Sequence, residues 1–140
     1  HRLGPDPASR LLLFPGDPKD KPLVESRIYG RVLRFMDERG LDPGGYVRLA
    51  YLPFFDLIPL EVSYSYPYSQ CEMPSRAPGE LVRRMLREVA RVVARSGGEA
   101  LLFTCARYAW SRQEVLRRWV CARVDCSRVE FVELCEDRGT

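Results

Sequence analysis

The chain has 140 residues, of which 46% are apolar and 29% charged. That balance suits a folded globular protein and excludes a disordered one. The net charge of +3 is too small to imply nucleic acid by itself, and no apolar run approaches the ~20 residues that span a bilayer. No secretory signal pattern is visible, so one α/β domain over 1–140, resident in the cytoplasm, is expected, with 1–9 and 135–140 as peripheral tails.

The elements follow in chain order. Arg10-Leu-Leu-Leu-Phe14 reads as a short buried strand halted by Pro15-Gly16, and 16–22 is turn chemistry. Over 25–39 the apolar Ile28, Val32, Phe35 and Met36 recur at helical spacing, and Gly40 ends the run. A second strand over 46–52 stops at Pro53. Residues 54–77 form a long connection rich in Pro, Ser and Tyr, with a short ordered piece near 60–62. Pro78 opens a helix whose apolar face is Val82, Met85, Leu86, Val89 and Val93, ended by Gly97-Gly98. Ala100–Cys105 is a third buried strand. Ser111-Arg-Gln-Glu114 predicts a capping box at the start of a helix reaching Arg123, and Val129–Leu134 is the last strand. Short apolar strands alternating with helices predict a parallel sheet covered on both faces, with right-handed crossovers.

Charge is unevenly distributed. Residues 1–75 carry nine Lys/Arg against ten Asp/Glu, 76–123 carry eleven against four, and 124–140 carry two against five. On the helix of the basic third, Arg83, Arg87 and Arg91 follow i, i+4 spacing with Arg84 and Arg95 alongside, a ridge opposite the apolar face that could meet an RNA backbone or simply be solvated. The five cysteines are irregularly spaced and the only histidine is His1, so no metal site is expected. Buried thiols are expected instead, with a Cys126–Cys135 disulfide, of the kind a thermophile uses, as the alternative.

Two loops beyond strand ends are candidate ligand sites. The first offers Asp17, Lys19, Lys21 and Ser26. The second offers Glu61, Tyr66, Tyr68, Gln70 and Glu72, whose tyrosines could stack on bases or cover the core. Neither loop has the spacing of a P-loop or a dinucleotide fingerprint. Without a usable His, Ser-His or Cys-His activation cannot be assembled, so no catalytic residue and no cofactor are assigned.

Pro15 followed by Lys21-Pro22-x-x-x-Ser26, and Ile58-Pro59-Leu60-Glu61 followed by Tyr66-Pro67-x-x-Gln70-x-x-x-Pro74, resemble a domain of unknown function. That domain accompanies archaeal proteins related to tRNA-guanine transglycosylase, notably archaeosine synthase. Leu23 stands where that pattern has an aromatic, and Cys71-Glu72 replaces an aromatic-acid pair. The resemblance implies a three-layer α/β/α sandwich similar to uracil-DNA glycosylases, with a four-stranded parallel sheet in the order 2-1-3-4. Gly16-Asp17-Pro18 resembles the water-activating loop of those glycosylases, but their late histidine has no counterpart. In archaeosine synthase the transfer chemistry is attributed to the transglycosylase-like domain. The resemblance therefore implies a non-catalytic nucleic-acid-binding or accessory module in archaeal tRNA modification. Its expected partners are tRNA and a transglycosylase-like or PUA domain, with no membrane contact. The alternative is a small enzyme acting on a nucleobase or nucleotide through a pocket formed by loops 15–27 and 53–75, using Asp17 or Glu61.

Overall fold

In a computed structural model, residues 10–17, 23–62, 77–97 and 99–134 are described. The chain runs β1 (Arg10–Pro15), α1 (Arg27–Glu38), β2 (Tyr46–Leu52), β3 (Asp56–Pro59), α2 (Gly79–Arg95), β4 (Ala100–Cys105), α3 (Gln113–Cys121) and β5 (Val129–Leu134). These form one mixed sheet in the order β3-β2-β1-β4-β5. β2, β1, β4 and β5 pair in parallel, whereas β3 runs antiparallel to β2. The sheet is therefore five-stranded and mixed rather than four-stranded and parallel.

The added strand lies inside the stretch expected to be a long connection. Pro53, Phe54 and Phe55 turn the chain so that Asp56 pairs with Leu52 and Pro59 with Leu49. The turn holds two non-glycine residues at positive φ, Phe54 at 78° and Asp56 at 63°, conformations that are uncommon for a bulky ring and easier for Asp. A three-residue hairpin loop without Gly or Asn gives no sequence signal, and Pro59 is tolerated because β3 is an edge.

Strand alternation sorts the core onto two faces. Phe14 and Phe103 lie on the face covered by α1, where they meet Tyr29 and Phe35 at 5.0 and 5.3 Å between ring centroids. Tyr51 and Phe131 lie on the other face, against Trp110 and, under the Arg117 guanidinium, α3. α2 packs beside α3 on that second face and over β2 and β3. β1 and β4 are buried almost throughout because both of their faces are covered and both of their edges are paired.

The helix ends show which local signals act. Ser26 caps α1, its hydroxyl accepting from the Tyr29 N–H at 3.0 Å. Gly40, at φ 68°, donates to Asp37 O while Leu41 donates to Met36 O at 2.8 Å, a Schellman closure. The expected capping box is absent. α3 starts at Gln113 with Arg112 at the cap and no side-chain cap bond. The Ser111 hydroxyl instead donates to Cys105 O at 2.6 Å, drawing the turn at Ala109–Ser111 onto the end of β4. At the end of α2, the Arg128 guanidinium donates to Ser96 O and Val93 O, carbonyls that the helix leaves open.

Cys121 and Cys126 form a disulfide with Cα atoms 5.5 Å apart, which corrects the expectation of buried thiols at both positions and of a Cys126–Cys135 bond. The chain reverses at the end of α3, so residues five apart meet. Cys105 is buried, as expected, while Cys71 and Cys135 lie outside the described residues.

Two glycines of the α1 segment should respond oppositely to alanine. Gly30 is an exposed helical residue with open space where a Cβ would stand, so Gly30→Ala should stabilise by roughly 0.5–1 kcal/mol. Gly40→Ala forces a Cβ into the left-handed region and should destabilise by roughly 1–2 kcal/mol. Urea denaturation of the two variants tests both signs.

Candidate functional site

β1 and β4 are neighbours, yet the chain leaves them in opposite directions: β1 leads to α1 on one face and β4 to α3 on the other. Such a switch point, beyond the carboxyl ends of the strands, is where open α/β sheets bind ligands. Here the two strands also part. They pair only from Leu11–Ala100 to Leu13–Leu102, after which β1 stays with β2 and β4 with β5.

The gap is closed by side chains. Tyr51 on β2 reaches across, and its hydroxyl donates to Phe103 O on β4 at 2.6 Å. Asp17, just past β1, is fully buried. The Arg107 Nη1 donates to its Oδ2 at 2.8 Å and the Tyr108 hydroxyl to its Oδ1 at 2.9 Å. Tyr108 stacks on Trp110 with ring centroids 5.0 Å apart and planes 4° from parallel, and Trp110 meets Tyr51 edge-on at 6.1 Å. Gly16 places Asp17 by donating to Tyr51 O at 2.9 Å. A Cβ on Gly16 would lie 3.1 Å from a Leu23 methyl and 3.2 Å from a Leu52 methyl, so the backbone packs closely here.

Burial pushes the Tyr51 hydroxyl well above its ordinary range, with the Cys105 thiol adding to the shift. Burial also raises Tyr108 strongly, helped by its hydrogen bond to Asp17 and the Asp17 charge, and opposed by Arg107. Both tyrosines are thus held as neutral donors.

Of the nine sequence-predicted loop residues, Asp17, Ser26 and Glu61 are among those described. Asp17 is at the switch point, but both of its oxygens are engaged. Ser26 is buried as the α1 cap. Glu61 is exposed in the turn Leu60–Val62 after β3. Because β3 runs back along β2, Pro59 is level with Leu13, roughly 13 Å along the strand direction and 10 Å across from Asp17. Asp17 follows β1 and Glu61 follows β3, two strands away. Lys19, Lys21, Tyr66, Tyr68, Gln70 and Glu72 lie outside the described residues. Sequence reasoning misses Arg107 and Tyr108 because it weighs only the loops after the first two strands. The signal that finds them is the third buried strand, whose following loop ends on the same edge of a parallel sheet.

The basic helix is also more differentiated than its spacing. Arg83, Arg84, Arg87, Arg91 and Arg95 are all exposed on α2. Arg84, however, clamps the β2–β3 turn, its Nε lying 3.2 and 3.1 Å from the two Asp56 oxygens and its Nη2 3.4 Å from Phe54 O. Arg91 pairs with Glu88. Arg87 and Arg91 line a groove toward α3 that Arg123, lying over Trp119, also faces. Among the described residues no group of three potential metal ligands occurs, and no helix is long and apolar enough to cross a membrane. No family model, curated protein or solved structure matches the chain.

Two outcomes test the closure of the gap. Tyr51→Phe leaves the buried Phe103 carbonyl without its donor and should cost about 1–3 kcal/mol in urea unfolding. Tyr51 and Tyr108 also bind their protons more tightly folded than unfolded, where the ordinary value is 10.0. Their contribution is complete below that pH and is lost as pH climbs beyond it. An absorbance titration should therefore show at least two of the seven tyrosines ionising only as the chain unfolds, and one fewer in Tyr108→Phe.

Proposed function

We propose that this chain is a non-catalytic nucleic-acid-binding or accessory module serving archaeal tRNA modification in the archaeosine pathway, acting beside a transglycosylase-like or PUA domain. The observation that carries the reading is the outward face of α2, where Arg83, Arg87, Arg91 and Arg95 are exposed in successive turns. Arg123, just beyond the end of α3, faces the groove that Arg87 and Arg91 line. Arginines at this spacing can follow a phosphodiester backbone with bidentate contacts. The order of the four parallel strands, with β1 central, supports a likeness to the uracil-DNA glycosylase fold, to which the antiparallel β3 is an addition. The cytoplasm is the compartment where such a module would work.

A small enzyme acting on a nucleobase or nucleotide is the second reading, favoured by the burial of Asp17 at the switch point. It is the weaker one. A general base must reach a substrate proton. Asp17 is fully buried and held by Arg107 and Tyr108, and Glu61 lies in the exposed turn after β3.

The expected behaviour is weak, salt-sensitive binding to tRNA, measured by fluorescence titration at low salt. Changing Arg83, Arg87 and Arg91 together to Ala should weaken it. The log–log salt slope should flatten by about 0.9 for each duplex phosphate no longer engaged, and by about 0.7 for single strands. Arg84→Ala should instead lower stability through the β2–β3 turn, with less change in salt slope. Full affinity in the triple variant would reduce the ridge to a solvated helix face.

A further inference from the structure

The Asp17–Arg107–Tyr108 cluster has a consequence separate from the α2 surface. A buried ion pair contributes little net stability, because desolvating a carboxylate costs about as much as its partner returns. What such a pair does supply is direction. Asp17 is fully buried and takes Nη1 of Arg107, while the Arg107 side chain remains 34% exposed. Among the described residues no hydrogen bond uses Nε or Nη2 of Arg107. The guanidinium is thus fixed at one nitrogen by Asp17 and, among the described residues, its Nε and Nη2 remain free to bind.

Its support is rigid. The Tyr108 hydroxyl holds the second oxygen of Asp17, and the Tyr108 ring is stacked on buried Trp110. The Ser111 hydroxyl, donating to Cys105 O, fixes the turn that carries Arg107, Tyr108 and Trp110. An arginine anchored in this way loses little freedom on binding, which is what makes a planar donor fork effective toward an oxyanion. We infer that Arg107 binds a small oxyanion, the phosphate of a phosphomonoester or a carboxylate, at the carboxyl end between β1 and β4, with Asp17 as its positioning residue.

The test follows the arginine side-chain Nε–H signals of the whole chain by NMR while chloride is replaced by inorganic phosphate, or by acetate, at constant ionic strength. One signal, identified by its loss in Arg107→Gln, should move saturably, and the perturbation of amides 106–111 should vanish in that variant. Saturation by phosphate alone assigns the phosphomonoester, and saturation by acetate alone assigns the carboxylate. Arg87→Ala and Arg91→Ala should leave the response intact, which separates this site from tRNA binding on α2. Asp17→Glu, which keeps the charge but displaces the carboxylate that orients Arg107, should weaken the anion by about tenfold. If that variant does not fold, Tyr108→Phe, which removes only the hydroxyl, should weaken it in the same direction. An Arg107 signal unmoved by both anions, or equal responses in wild type and Arg107→Gln, overturns the inference, as does undiminished affinity in a folded Asp17→Glu or Tyr108→Phe.

Discussion

The parting of the two central strands is the constraint around which the rest of the molecule is arranged. Once β1 and β4 stop pairing after Leu13 and Leu102, the polar groups at their ends must find partners other than each other. Tyr51 supplies one, spanning β1 to reach Phe103 O. Asp17 supplies the other link, gathering Arg107 and Tyr108 from the far side of the gap. The stacked Tyr108 and Trp110 then give the second helical layer a fixed floor, and the Ser111 hydroxyl sets where α3 begins. A hydrophobic core alone would not produce this arrangement, since apolar burial is non-directional. The directional bonds at one end decide how the layers meet.

Those same bonds explain why the two surfaces carry different chemistry. At the switch point, charge is buried and paired, and one guanidinium is held in a single orientation. On α2, charge is exposed and spread over successive turns, suited to a long polyanion and screened by salt. One surface fixes charge by geometry, and the other spreads it along a helix.

Much of this was legible in the sequence, for physical reasons that also mark where legibility ended. The strands over 11–14, 46–52, 100–105 and 129–134 announce themselves by their apolar runs, because a sheet covered on both faces leaves few positions for a polar residue. The helix around Ile28, Val32 and Met36 is given by its period and its Ser26 and Gly40 ends. β3 was not legible: four residues, a proline at the end and a turn held by Arg84 rather than by glycine leave no local signature. The Cys121–Cys126 bond was hidden for a similar reason, since it depends on how the chain reverses after α3. For the candidate site, Asp17 could be flagged by its place after a buried strand. Arg107 and Tyr108, about ninety residues away, become its partners only through the strand order.

The short strand β3 also decides how the folded chain behaves toward its own copies. A sheet of apolar strands would polymerise through a long open edge. β3 offers only Asp56–Pro59, entering from a left-handed residue and leaving through a proline that has no N–H to donate. At the opposite margin, Glu130 and Glu133 place exposed carboxylates along the six residues of β5, the first of them tied to Arg39. One margin is short of donors and the other would have to bury charge to pair with its like. Among the described residues, both margins of the sheet thus disfavour pairing with another strand.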